Sequence, residues 1–153
     1  MMEKIDNFRN EYAFLSNFYD APVIYDGISY RNSESAFQAQ KCANKEERIQ
    51  FANLNPSEAK HLGRRIPLRK DWESVKLTIM KDIVRAKFLQ NPELLEQLLE
   101  TGDAYLEEGN DWGDRTWGTV NGQGRNLLGF TLMELRDELA AEFDNHEDIE
   151  INE

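Results

Sequence analysis

The stretch Asp71–Phe88 constrains this chain more than any other. Trp72, Val75, Ile79, Met80, Ile83 and Phe88 recur at helical spacing, which predicts one long helix whose apolar side must be covered by the rest of the molecule. Asp71 stands where the helix should open, and Asn91-Pro92 where it should end. The same Asn-Pro pair then starts a short helix with Leu94, Leu95, Leu98 and Leu99 on one side, closed by Thr101-Gly102.

The remaining elements are shorter. Val23–Tyr30 reads as a hairpin around Asp26-Gly27, a pair suited to a type I′ turn. Ser33 reads as the N-cap of a helix running to about Lys45, with Glu34 in its first turn. Asn55-Pro56-Ser57-Glu58 combines a cap, a first-position proline and a third-position acid, and Gly63 reads as the stop of that helix. Thr116–Val120 is the best strand candidate between Asp103 and Gly124, followed by the turn Asn121-Gly122. A final helix should start near Arg125 or Asn126 and carry Leu128, Leu132, Leu135 and Leu139. These elements sum to a helix-rich α+β fold, with several short helices and one long helix around a small antiparallel sheet. Residues 1–142 are expected to form one domain, and 143–153 an acidic, flexible tail.

Charge and cysteine content narrow the function classes. Of the formal net charge of −11, −8 falls on Glu134–Glu153, where nine acids face the single base Arg136; the other 133 residues carry −3. Such a chain lacks the basic face that non-specific duplex DNA binding requires. A local cluster of Lys60, Arg64, Arg65, Arg69 and Lys70 can still serve a small anion. Cys42 is the one cysteine, so neither an internal disulfide nor a cysteine zinc cluster is available, and a reducing cytoplasm is expected. No apolar run reaches the length of a membrane span, and Met1–Asp6 lacks the apolar stretch of a signal peptide. His61 and His146 have no neighbours at metal-ligand spacing.

Four segments are not explained by composition. Glu34, Gln38 and Lys41 fall at i, i+4 and i+7, one stripe of the expected helix. A solvated polar face explains the stripe, and so does a pocket wall supplying a carboxylate, an amide and an ammonium. The loop Glu107–Gly118 sets Asp114 between Trp112 and Trp117 among glycines; such rings either anchor the loop or stack on a planar ligand. Gly122–Gly129 brings a glycine turn into a helix start, which suits either a phosphate or an ordinary cap. In Phe14–Tyr19, Asn17 is either a turn former or a base-reading amide.

Taken in order, the segments resemble the YbiA-like, or NADAR, family. The matching pieces are Ser16-Asn17-Phe18-Tyr19, Ser33-Glu34-x-x-Phe37-Gln38-Ala39-Gln40-Lys41, Ala59-Lys60-x-Leu62-Gly63-Arg64, Asp71-Trp72 and Lys87-Phe88. They continue through Leu98-Leu99-x-Thr101-Gly102, Asp114-x-x-Trp117-Gly118, Gly124-x-Asn126-Leu127-Leu128-Gly129 and Leu132-Met133-x-x-Arg136. Together they run from about Phe8 to Leu139.

The resemblance implies the YbiA-like fold and an N-glycosidase that needs no metal and no other cofactor. Its substrates would be nucleotide-like small molecules. In one class, early riboflavin-pathway intermediates, an aminopyrimidine is joined through nitrogen to ribose 5-phosphate. In the other, ADP-ribose is joined to guanine, including guanine in nucleic acid. Ser35 stands where many members carry histidine. On this footing Glu34 is the first candidate for the catalytic carboxylate and Asp114 the second. Lys41 is a phosphate ligand or an acid, and Arg64 a second phosphate ligand. Phe18, Trp72 and Trp117 are candidates for stacking on the base. Asn17, Gln38 and Asn126 are candidates for reading its edges, and Gly118 for lining the site. The rival expectations are a nucleotide or ADP-ribose sensor that binds without cleaving, and a scaffold whose polar stripes are plain surface.

Overall fold

A computed structural model describes residues 3–151, with side chains through 143. In chain order the elements are β1 (Lys4–Ile5), a 3-10 turn (Asn10–Leu15), β2 (Val23–Tyr25), β3 (Ile28–Tyr30) and α1 (Ser33–Ala39). Next come α2 (Lys45–Ile49), α3 (Pro56–Gly63), α4 (Trp72–Gln90), α5 (Pro92–Glu100), β4 (Tyr105–Leu106) and α6 (Leu127–Ile151). The fold is helix-rich with a small antiparallel sheet, as the sequence predicts. No helix among the described residues is long and apolar enough to cross a membrane. The chain divides into two compact units, Arg9–Leu95, and Met1–Phe8 with Glu96–Glu153.

In the unit Arg9–Leu95, α4 is the hub. It packs on β2 and on α1, and α1 packs in turn on α3. Its apolar side carries the expected Trp72, Ile79, Met80, Ile83 and Phe88 into the core, with Val84 beside them. The β2–β3 hairpin pairs Val23 with Tyr30 and Tyr25 with Ile28. Asp26 and Gly27 adopt φ +48° and +79°, the left-handed pair of a type I′ turn. The exposed side of β2 is met by Gln90. Its amide accepts from Ile24 N at 2.7 Å and donates to Ile24 O at 2.9 Å, as a neighbouring strand would.

The helix after the hairpin differs from expectation at both ends. Asn32, not Ser33, is the N-cap, its Oδ1 accepting from Ser35 N at 2.7 Å. The helix also stops at Ala39 instead of running to Lys45. Gln40, Lys41 and Cys42 turn inward through N–H bonds to the carbonyls three residues back. Arg48 then holds Cys42 O through Nε and Nη2, and Asn44 caps the separate helix α2. Gly63 is not a left-handed stop either: it is the last residue of α3, and Arg64 after it is right-handed. The expected capping box of Asn55 and Glu58 is formed.

In the other unit, β1 and β4 pair in parallel, Lys4 with Tyr105 and Ile5 with Leu106. α6 covers β4 with Leu128, Leu132, Leu135 and Leu139, all buried. The strand expected at Thr116–Val120 is absent. Asp114 Oδ1 takes the N–H groups of Thr116 and Trp117 at 3.0 and 2.9 Å, removing them from any ladder. Only single bridges remain, Gly109 to Thr119 and Val120 to Gln123, the latter across the Asn121-Gly122 turn. The acidic segment expected as a flexible tail lies, in its side chains from 144 on, outside the described residues.

Lys87 is the anomaly of the core. It sits on the buried side of α4, fully enclosed. Its Nζ donates to Phe14 O at 2.6 Å and Ser16 O at 2.9 Å, and lies 5.8 Å from the Tyr19 ring centroid and 5.2 Å from that of Phe88. Burial pushes its pKa down from 10.5 to about 7; the neutral amine keeps two N–H donors, enough for both carbonyls. Between about pH 7 and 10.5 the unfolded chain therefore holds a proton that the folded chain has released. This group makes stability rise with pH across that window. Urea midpoints at pH 7, 8 and 9 should climb for the parent relative to Lys87→Met, whose profile lacks this contribution.

Candidate active site

The unit Arg9–Leu95 assembles the glutamate stripe. Every residue of α1 is buried, Glu34 to 8% and Gln38 to 6% relative exposure, which rules out the solvated-face reading. The helix can be enclosed because Ala36 and Ala39 let its neighbours approach closely. Gln38 Nε2 donates to Glu34 Oε1 at 2.9 Å, one helical turn apart. Gln38 Oε1 has no hydrogen-bond partner among the described residues. It rests instead against Gly63, where a Cβ would collide with it. Gly63 is therefore a glycine because α3 crosses α1 over the Gln38 side chain.

Asn17 closes the other side. Its carbonyl accepts from Glu34 N at 3.1 Å, and Ser33 Oγ–H is shared between that carbonyl and Asn17 Oδ1, at 3.3 and 3.0 Å. Its amide Nδ2 reaches only the thioether of Met80, at 3.3 Å. Sulfur is a weak acceptor, so Asn17 keeps donor capacity beside Glu34.

Lys41 lies off the end of α1, in the tightened turn, half-buried. Burial lowers its pKa from the ordinary 10.5; Glu34 works the other way, and Arg64, Lys60 and Lys76 lower it further. These causes place Lys41 within electrostatic reach of both the carboxylate and three further cations. Arg64 is exposed at the end of α3. Phe18 is 44% exposed, with Lys60 Nζ 6.0 Å from its ring centroid. Trp72 is 5% exposed and packs against Phe37 with ring centroids 5.1 Å apart. A cavity of about 530 Å³ in the same unit is lined by Tyr25, Gln40, Arg48, Arg69, Val75 and Ile79 among others; of the basic cluster read from the sequence it takes Arg69, and it takes none of the candidates for catalysis or base recognition.

The second set of candidates lies in the other unit, where the loop 107–126 is held by its own polar side chains. Asn110 Oδ1 accepts from Trp112 N and Asp114 N, and its Nδ2 donates to Asp114 O and Glu108 O. Asp114 spends one carboxylate oxygen on the turn to Trp117. Gly118 is packed so that a Cβ would meet Glu108 O and the side chains of Asn110 and Glu108. Asn126, expected to read a base, is consumed by the scaffold. It is buried, its Oδ1 accepts from Glu108 N at 3.0 Å, and its Nδ2 donates to Leu106 O at 2.9 Å. The phosphate reading of the glycine turn also fails. The N–H groups of Arg125, Asn126, Leu127 and Leu128 go to the carbonyls of Arg115, Gly118, Thr116 and Trp117. Trp117 is half-buried, and Trp112 is exposed.

Sequence reasoning passed over Ser33 as a side-chain partner, Asn110, the packing role of Gly63, and Lys87. The last was visible in principle: Lys87 follows Ile83 by four and Val84 by three, on the apolar side of the longest helix.

Comparison with known proteins identifies the family. The NADAR domain family model matches residues 5–140. The chain is 42% identical over 149 residues to the N-glycosidase YbiA of Escherichia coli (strain K12), covering 93% of this chain and 92% of that protein. It is 37% identical to an N-glycosidase of Nostoc punctiforme, over 84% of this chain and 86% of that one. It is 39% identical to a riboflavin biosynthesis protein of Vibrio vulnificus, over 84% of this chain but 36% of the longer protein. The solution structure of the Escherichia coli protein YbiA superimposes with a TM-score of 0.82, covering 93% of this chain and 88% of that chain.

Two variants follow from these contacts. Gly63→Ala should push Gln38 off Glu34, lowering both the melting temperature and kcat/KM. Adding Gln38→Ala should recover the melting temperature but not the activity. Asp114→Asn retains the acceptor oxygen that holds the turn, so it should keep parent-like stability, whereas Asp114→Ala should lose on the order of 1 kcal/mol. If Asp114→Asn is also inactive, the carboxylate has a chemical role beyond the turn; thermal melts and turnover on both variants separate the two.

Proposed function

The chain belongs to the NADAR domain family and is an N-glycosidase, and we propose that it hydrolyses the bond between ribosyl C1 and nitrogen in ribosylaminopyrimidine 5′-phosphates of the early riboflavin pathway. The observation that carries this reading is the buried Glu34, held at its carboxylate by Gln38 and at its backbone N–H by Asn17, which Ser33 ties in place. A ribosyl C–N bond breaks through an oxocarbenium-like state that a fixed carboxylate stabilises. Glu34 is oriented before substrate arrives, which is the condition under which such a charge contributes most.

The bond's electron pair leaves with nitrogen, which must take a proton. Lys41 supplies it: its lowered pKa makes it a stronger acid than an exposed lysine. Water then adds to C1 and gives its proton to Glu34, yielding free aminopyrimidine and ribose 5-phosphate. Arg64 and Lys60 hold the phosphate, Phe18 stacks on the pyrimidine, and Asn17 donates its remaining amide hydrogen to it.

The riboflavin assignment follows the name of the Vibrio vulnificus relative. A free nucleotide also suits a chain carrying −3 outside its acidic end, because long nucleic acid needs a basic track. A reducing cytoplasm is the compartment we assign, in keeping with the lone buried thiol of Cys42.

Incubation with a ribosylaminopyrimidine 5′-phosphate, followed by mass spectrometry, should release ribose 5-phosphate, and Glu34→Gln should cut kcat at least about 100-fold. A few-fold change would remove Glu34 from the chemistry. Release of ADP-ribose from an ADP-ribosylguanine oligonucleotide, with none from the pyrimidine, would reassign the substrate; binding without release from either would mark a sensor. Because Lys41 acts protonated and its pKa is lowered, kcat/KM should fall with rising pH before the ordinary 10.5 is reached. That limb should vanish in Lys41→Met. A raised KM with the limb intact would make Lys41 a phosphate ligand instead.

A further inference from the structure

We propose that Lys87 is a positioning residue for Glu34, acting through the backbone of Phe14–Asn17; the proposal rests on Glu34 being the catalytic carboxylate. A fully buried amine is costly in an apolar core, and a Met or Leu at position 87 would fill the same space without removing a polar group from water. What the amine adds is specific. Its two hydrogen bonds go to Phe14 O and Ser16 O, the two carbonyls flanking Leu15 at the exit of the 3-10 turn. The next residue is Asn17, and its carbonyl receives the N–H of Glu34 itself and the hydroxyl of Ser33.

The connection is therefore continuous and short. Lys87 Nζ fixes the Ser16 carbonyl, one peptide unit later Asn17 accepts from Glu34 N, and Asn17 Oδ1 accepts from Ser33. Tyr19 and Phe88 present ring faces to the same nitrogen, so it sits within a closed shell and holds one position. The side chain of Asn17 is held at Oδ1 by Ser33, while its Nδ2 meets only a thioether. Without the clamp, Phe14 O and Ser16 O lose a buried donor, and the segment must shift to find water. Glu34 would move with it. Displacements of about 1 Å at a reacting group are worth up to about 100-fold in rate, whereas the phosphate contact made by exposed Arg64, after α3, is left in place.

The test compares Lys87→Met, Ser33→Ala, the double variant and Glu34→Gln on the ribosylaminopyrimidine 5′-phosphate, each assayed well below its own melting temperature. Lys87→Met should lose about 10- to 100-fold in kcat with KM within about 3-fold. Ser33→Ala should lose less in the same sense, and the double variant no more than the larger single loss, because both act on one path. A role confined to stability would lower the melting temperature and leave kcat of the folded fraction unchanged. Lys87→Met with kcat within 2-fold of the parent, beside an inactive Glu34→Gln, overturns the proposal and leaves Glu34 standing. An active Glu34→Gln overturns both. Should Lys87→Met fail to fold, Ser33→Ala decides: unchanged kcat overturns the proposal, and a kcat loss at constant KM supports it.

Discussion

A seven-residue helix enclosed on every side sets the terms for the unit Arg9–Leu95. Such a helix has no solvent side on which to place polar residues, so each polar group of α1 needs a protein partner or a ligand. Asn32 caps it, Asn17 receives the N–H of Glu34, Ser33 turns back onto Asn17, and Gln38 turns onto Glu34. Small residues make the enclosure possible: Ala36 and Ala39 on the helix, Gly63 on its neighbour. The cost of burying Glu34 is met by contacts that also define where its oxygens point. Stability and orientation are then the same set of hydrogen bonds, which is why variants of the shell act on both.

The unit containing α6 solves a different problem. Its loop 107–126 has almost no regular structure, yet it must bury backbone groups. Side chains take the place of strands. Asn110 and Asp114 satisfy the N–H groups of 112, 114, 116 and 117, and Asn126 serves Glu108 N and Leu106 O. The carbonyls of 115–118 in turn cap the start of α6. Short asparagine and aspartate side chains suit this work because they reach the backbone two or three residues away. One carboxylate oxygen of Asp114 is committed to the turn, so any chemistry there has a structural cost.

Local chemistry made much of the fold legible. The Asp26-Gly27 turn, the Asn55–Glu58 capping box, the apolar side of α4 and the leucine repeat of α6 are written in short-range patterns, and all four formed. The failures share one cause, tertiary partners that sequence spacing does not contain. The helix after Ser33 was expected to continue because nothing within 40–45 breaks it; Arg48 on Cys42 O and the Asn44 cap end it. Thr116–Val120 has strand composition, but Asp114 takes its N–H groups. Gly63 looked like a stop, and is instead a close crossing of two helices. β1 pairs with a segment a hundred residues away, which no local pattern announces. Spacing and resemblance single out Glu34, Gln38, Lys41 and Asn17, and the fold sets Gln38 and Asn17 on Glu34, with Lys41 in its electrostatic reach. Spacing does not tell that Trp72 packs on Phe37 or that Asn126 spends its amide on the backbone, because such partners are a property of the fold.

The charge distribution reconciles an acidic protein with the anionic substrate proposed for it. Most of the excess negative charge lies beyond residue 133, while Lys60, Arg64 and Lys76, with Glu34, act on one electrostatic neighbourhood around Lys41. Screening confines such fields to about 10 Å at ordinary ionic strength, so the net charge of the chain has little bearing on what this neighbourhood attracts. The same crowding does a second job. Burial is the first cause that lowers the pKa of Lys41; Arg64, Lys60 and Lys76 push the same way and Glu34 pushes against them. In the proposed reaction, the cations that would hold the phosphate therefore also favour release of the proton from Lys41, so binding and proton transfer would draw on one arrangement of charge.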